Sequence, residues 1–277
     1  MSTNLITQQL GPDGRTAFVW ADQPVAGRRP TVAELAEGGF SACTWVEGPV
    51  GARNLLLLLH GIGDSCAPFE RLARRMALPE TSALALRAPL PLPAGLGGFM
   101  WFPSFDATTG DVLPPTASGL AAVRRRLGRL VSMLERCGWP PHRVFLFGFS
   151  QGGVVALDFA LRCPVGRLGG VVSVCGHLPP ELAPSPSSGA VSVQTPILVV
   201  AGTHDERMSL SAARRSFEKL RDSMGGGAMA VLAEIDGKRH EMIGSEAEAR
   251  RVMQFFSEHL ELHVGALESD PSIIRVR

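Results

Sequence analysis

A serine between glycines, an aspartate after one apolar run and a histidine after the next are the residues whose types and spacing could do chemistry together. The serine is Ser150, in Val144-Phe145-Leu146-Phe147-Gly148-Phe149-Ser150-Gln151-Gly152-Gly153. An apolar run ends in G-x-S-x-G, and a second apolar stretch with helical spacing begins at once. Strand, sharp turn and helix in that order would press the serine into a tight backbone conformation. Gly148 and Gly152 supply the room it needs, and Gly153 lets the helix approach the strand. A hydroxyl held there stands above a sheet edge beside the first N–H groups of a helix, where a nucleophile for acyl transfer belongs. A glycine-lubricated turn with a solvated serine is the plainer alternative. The buried-type strand before Ser150 and the helix after it favour the nucleophile.

A serine hydroxyl is a weak nucleophile that needs a base, and the base needs an orienting acid. In strand–turn–helix serine sites the acid and then the histidine follow the serine along the chain. Asp205 follows the apolar run Pro196-Ile197-Leu198-Val199-Val200-Ala201-Gly202 and is the favoured acid, with Glu206 next to it as the alternative. Past the last strand comes Asp236-Gly237-Lys238-Arg239-His240, and among the histidines after Asp205 only His240 lies in a post-strand loop. His259 and His263 have a zinc-compatible spacing on the terminal helix. Leu260 stands where H-E-x-x-H needs its glutamate and no third ligand is evident, so they read as surface histidines. An oxyanion needs two converging N–H donors. The turn His60-Gly61-Ile62-Gly63-Asp64 would supply the Ile62 N–H to join that of Gln151, while His60 itself reads as a structural hydrogen bonder in the turn.

These groups need a scaffold that gathers strand ends. Asn54 to Gly61, Ala83 to Ala88, Val144 to Phe149, Leu168 to Cys175, Pro196 to Gly202 and Met229 to Ile235 read as strands. Pro68 to Met76, Ser118 to Cys137, Leu210 to Met224 and Ala247 to Leu262 read as helices, with Ser118 as an N-cap. Continuously apolar strands alternating with helices describe a mainly parallel central sheet with helices on both faces. Reactive groups collect at the carboxyl ends of such strands. Weaker strands are expected at Ala17 to Trp20 and Ser41 to Glu47, joined by a Pro/Gly/Arg-rich connection. Gly176 to Gln194 reads as a surface insertion. The Pro89 to Pro115 stretch is aperiodic and aromatic. Phe99, Met100, Trp101, Phe102 and Phe105 either roof the core or line an apolar substrate groove, and both readings stand. One domain over residues 1–264 is expected, with N-terminal strands in 15–50, a catalytic core in 54–262 and a flexible tail in 265–277.

Composition narrows the classes. With 277 residues, 45% hydrophobic and 19% charged, the chain can bury a full core. A net charge of +1 gives no field for nucleic acid or an anionic membrane, and the clusters Arg74-Arg75 and Arg124-Arg125-Arg126 read as solvated helix faces. Five scattered cysteines without C-x-x-C spacing read as reduced thiols. No secretory signal and no membrane span are visible, so a cytoplasmic protein is expected.

His60-Gly61-Ile62-Gly63-Asp64-Ser65, Gly148-Phe149-Ser150-Gln151-Gly152-Gly153, Asp205 and His240 together resemble the acyl-protein thioesterase and phospholipase/carboxylesterase family of α/β-hydrolases. The resemblance runs from about Leu55 to Leu260, and the Gly-Phe-Ser-Gln-Gly-Gly string is more specific than bare G-x-S-x-G. It implies an α/β-hydrolase fold and cofactor-free hydrolysis of carboxylic esters, thioesters or lysophospholipids carrying an apolar acyl chain, with acylated protein as a further substrate class. It also implies a substrate groove near Trp101, Phe102 and Cys175. Departures fall at Met100 to Asp106, Glu206 to Ser209, the Lys238-Arg239 pair before the histidine, the long N-terminal region and the 176–194 insertion. They touch substrate walls more than the triad. A small-ester or dienelactone-hydrolase-like esterase is the alternative enzyme, though that family often carries Cys at the elbow. A non-catalytic α/β-hydrolase binding scaffold is the alternative outside catalysis.

Overall fold

The structure, a computed structural model, describes residues 6–10, 16–20, 27–93, 95–106, 108–184, 194–225 and 229–262. Its strands are β1 (Ile6–Leu10), β2 (Thr16–Trp20), β3 (Cys43–Val46), β4 (Asn54–Leu59), β5 (Thr81–Leu86), β6 (Leu90–Pro91), β7 (Phe99–Met100), β8 (Val144–Phe149), β9 (Gly170–Val174), β10 (Ile197–Gly202) and β11 (Ala230–Ile235). The helices are α1 (Val32–Glu37), α2 (Cys66–Met76), α3 (Ala117–Arg136), α4 (Gln151–Leu161), α5 (Leu210–Met224) and α6 (Glu246–His259). Seven strands form the central sheet in the order β11-β10-β9-β8-β4-β5-β3, all parallel except β3, which runs antiparallel to β5. Antiparallel pairs β1–β2 and β6–β7 form two small sheets of their own.

The apolar runs explain why this sheet is covered twice. Side chains alternate across a strand, so Leu55, Leu57 and Leu59 of β4 join the core under α1, α3, α4 and α5. Leu56 and Leu58 join the core under α2 and α6. Every β4 side chain is buried, and each leucine so removed from water contributes roughly 1.5–3 kcal/mol. From β4 the chain moves to β5 on one side and then to β8 on the other, which makes the crevice between the carboxyl ends of β4 and β8 the topological switch point. Leu59 pairs in register with Gly148, so the turn after β4 and the turn after β8 leave the sheet side by side.

Several expectations need correction. The Pro/Gly/Arg-rich connection contains α1, opened by a capping box in which Thr31 and Glu34 bond reciprocally. The N-cap of α3 is Thr116, whose hydroxyl accepts the Gly119 N–H, and not Ser118. The aperiodic stretch carries the β6–β7 pair and a bridge from Phe99 to Asp64. Arg124 is half-buried and ion-paired with Asp158 of α4, and Arg126 donates to the Gly39 carbonyl, so only part of that arginine cluster is a solvated face. Cys175 to Leu178 are buried, so the presumed surface insertion starts inside the core. Residues 185–193, His263 and the 265–277 tail lie outside the described residues. Among the described residues no helix is long and apolar enough to cross a membrane.

Candidate active site

Ser150 sits between β8 and α4 with φ 51° and ψ −117°, a left-handed conformation that strains a residue bearing Cβ. Two hydrogen bonds hold it there. Its N–H donates to the Val174 carbonyl at 2.9 Å, and its carbonyl accepts the Val154 N–H at 3.1 Å. The neighbouring backbone must come very close. A Cβ on Gly152 would lie 2.3 Å from the Leu59 carbonyl oxygen, and one on Gly61 would lie 2.9 Å from the Phe149 ring. The elbow is therefore wedged against the end of β4, and the sequence requires glycine at both contacts.

The loops after β10 and β11 deliver the other two groups and are stitched to each other. Thr203 N–H donates to Ile235 O at 3.0 Å, His204 N–H to Lys238 O at 3.0 Å, and Gly237 N–H to the Thr203 hydroxyl at 2.9 Å. Across this seam His240 Nδ1 lies 3.0 Å from both carboxylate oxygens of Asp205. Its Nε2 lies 2.9 Å from Ser150 Oγ. Asp205 also accepts the N–H groups of Arg207 and Met208 at 2.8 and 3.1 Å. Burial would raise its carboxyl pKa. Those N–H donors and the His240 ring outweigh burial and hold the carboxyl below the usual carboxylate range, so it stays ionised. Glu206 does not meet the imidazole; it accepts the His240 backbone N–H at 3.2 Å.

Ile62 is exposed in the turn after β4, and Gln151 is the first residue of α4. Among the described residues neither backbone N–H meets an acceptor. His60 is structural: the Ala88 N–H donates to its Nε2 at 3.0 Å, which leaves the ring proton on Nδ1, 2.6 Å from the Gly61 carbonyl. Burial pushes its pKa below the ordinary histidine value.

The expected groove residues are placed elsewhere. Trp101 is 1% and Phe102 3% exposed, both within the core. The Trp101 indole N–H donates to the His60 carbonyl at 2.8 Å. Of the two readings of the aromatic stretch, these two side chains follow the roof, because a buried indole needs an acceptor and the end of β4 offers one. Cys175 is buried beside Asp205 and His240. Its thiol lies 3.7 Å from the carbonyls of Arg239 and Glu241, and burial pushes it up to about 12. The Cys175, Asp205 and His240 ligand atoms lie within 4.8 Å of one another, yet both imidazole nitrogens are already engaged by Ser150 and Asp205.

Three features escaped the sequence reading. The Gln151 side chain accepts the Trp101 N–H at 2.6 Å and donates to Ser104 Oγ at 2.6 Å and Phe102 O at 3.2 Å, clamping the aromatic stretch to α4. His177 is buried near Asp205 and His240, and burial pushes it down to about 4 against the pull of the Asp205 charge, so it is neutral at pH 7. Lys238, whose only sequence signal is a basic pair before the histidine, is buried against Glu248.

The sequence profile of the phospholipase/carboxylesterase family matches residues 44–264, which span this whole arrangement. The chain belongs to that family. An uncharacterized hydrolase of Mycosarcoma maydis is 34% identical over 156 residues, 53% of this chain and 58% of that protein. Acyl-protein thioesterase 1 of Gibberella zeae is 26% identical over 179 residues, 60% of this chain and 75% of that protein. The chain thus spans less than two thirds of the length of the first of these. Among solved structures, esterase PE8 superposes with a TM-score of 0.65 at 24% identity, covering 79% of this chain and 99% of that one. SOBER1 of Arabidopsis thaliana gives 0.62 at 24%, covering 76% and 100%. At such identity these two likenesses establish the α/β-hydrolase fold alone.

Proposed function

We propose that this protein is a serine hydrolase that cleaves carboxylic esters or thioesters carrying an apolar acyl chain, through an acyl-enzyme on Ser150. The observation that carries the reading is the unbroken relay from Ser150 Oγ to His240 Nε2 at 2.9 Å and from His240 Nδ1 to Asp205 at 3.0 Å. Ser150 attacks the acyl carbonyl while His240 takes its proton. His240 then returns that proton to the leaving alkoxide or thiolate. Asp205 keeps the imidazole proton on Nδ1, so that Nε2 faces the serine as an acceptor. The Ile62 and Gln151 N–H groups receive the oxyanion, and a water activated by His240 releases the acid.

The names carboxylesterase and acyl-protein thioesterase among the relatives support esters and thioesters as the substrate class, with lysophospholipids and acylated proteins as more specific candidates. No cofactor enters the chemistry so written. Covalent labelling by a fluorophosphonate tests the reading. Wild type is expected to label and to hydrolyse p-nitrophenyl esters. Ser150→Ala should lose both while its stability changes by less than about 1 kcal/mol, since the half-exposed hydroxyl makes little core contact. Ester turnover surviving in the purified variant would remove Ser150 as nucleophile and favour a binding scaffold or another centre.

A further inference from the structure

Two residues before His240 lies an ion pair that no step of the reaction uses. The Lys238 ammonium meets the Glu248 carboxylate with side chains 1% and 3% exposed. Lys238 Nζ also donates to the carbonyls of Glu241 at 2.8 Å and Met242 at 3.3 Å, so the turn carrying His240 wraps around the ammonium. The Lys238 carbonyl accepts the His204 N–H at 3.0 Å, next to Asp205. Glu248 is fixed in turn by the N–H groups of Gly244 and Ser245 at 3.0 and 2.9 Å, in the capping box that opens α6. Beneath the turn, the Cys175 thiol faces the carbonyls of Arg239 and Glu241, one on each side of His240.

A buried pair is a costly way to hold a loop, because both charges lose their water, and an apolar pair of similar volume often serves stability as well or better. What the ammonium supplies and an apolar side chain cannot is a set of directed bonds. Two of its acceptors are the carbonyls of the residues just after His240. We propose that the Lys238–Glu248 pair positions His240: it fixes the turn whose apex carries the imidazole, a turn that the Lys238 main-chain carbonyl ties to the Asp205 loop. The proposal rests on the Ser150–His240–Asp205 reading, and Lys238 acts through His240 without touching substrate.

Three variants test it: Lys238→Met, Glu248→Gln, and Lys238→Met combined with Glu248→Met. Each is measured for thermal midpoint, for kcat and KM with a p-nitrophenyl ester, and for the rate of fluorophosphonate labelling. The single variants should lower kcat and the labelling rate by about 10- to 100-fold, the usual penalty for a misplaced catalytic group, with KM within about twofold. The double variant should regain the thermal midpoint lost by the single ones yet keep the low kcat, which a purely stabilising pair would not do. Should a single variant fail to fold, the double variant decides by itself. A double variant with wild-type kcat and labelling rate overturns the positioning role while leaving the triad intact. Labelling that does not depend on Ser150 in the otherwise wild-type protein removes the triad reading instead.

Discussion

At Asp205 burial favours the neutral acid, while the Arg207 and Met208 N–H groups and the His240 ring favour the anion, and the anion prevails. The charge is therefore held in place to face one nitrogen of one imidazole. Asparagine there would keep the shape but could turn its NH2 toward Nδ1 and force the ring proton onto Nε2, facing Ser150. Asp205→Asn should lower kcat by about 10⁴-fold with KM little changed, as steady-state kinetics on a chromogenic ester would show. Glu206 meets the His240 backbone N–H and, at 3.8 Å, the exposed Arg239 guanidinium; a carboxamide oxygen still accepts the N–H. Glu206→Gln should therefore cost less than about tenfold in the same assay, the equivalent of one modest hydrogen bond.

Between elements, the decisive contact is the Gln151 clamp. Its backbone N–H, proposed above as an oxyanion donor, meets no acceptor among the described residues. Its side chain points into the aromatic stretch that follows β7, and bonds Trp101, Phe102 and Ser104. Truncation would leave the buried Trp101 N–H and Ser104 hydroxyl without those partners. Gln151→Ala should destabilise the fold by about 1–3 kcal/mol in urea unfolding. The backbone donor survives the substitution, so labelling of Ser150 in the folded fraction should persist.

Over the whole molecule, carboxylates help bind the loop after β11, α6 and the start of β4 together. Asp205 is held below the usual range as described; burial would raise Glu248 and Glu261 too, but Lys238 and the Gly244 and Ser245 N–H groups outweigh it at Glu248, and Arg143 and Arg53 at Glu261. Just after α6, Glu261 bonds Arg143 at 2.5 and 2.6 Å, while its backbone N–H and carbonyl both meet the buried Asn54 side chain at the start of β4. A carboxyl with a lower folded than unfolded pKa contributes stability in full above the unfolded value. That stability is lost as pH falls through the folded value. Urea midpoints should thus hold steady down to the ordinary carboxyl range near pH 4 and fall steeply below it. Glu248→Gln, lacking one of the three linked groups, should show a shallower decline.

How much could be read without the structure differs from residue to residue. Continuous leucine and valine runs determined the parallel sheet and its two helix layers, because only a strand buried on both faces tolerates them. The glycine spacing around Ser150 determined the elbow, since no other residue fits against the end of β4. Chain order then pointed to Asp205 and His240, although 90 residues separate His240 from Ser150 and 35 separate it from Asp205. The tertiary structure alone decided that Asp205 and not Glu206 meets the imidazole, for two adjacent loop residues point in different directions only once β10 and β11 are in register. It alone put Trp101 in the roof, where an indole N–H finds the carbonyl of His60, 41 residues away. And it alone buried Lys238: a charge beside a loop histidine reads as solvated until α6 folds back and brings Glu248 to it.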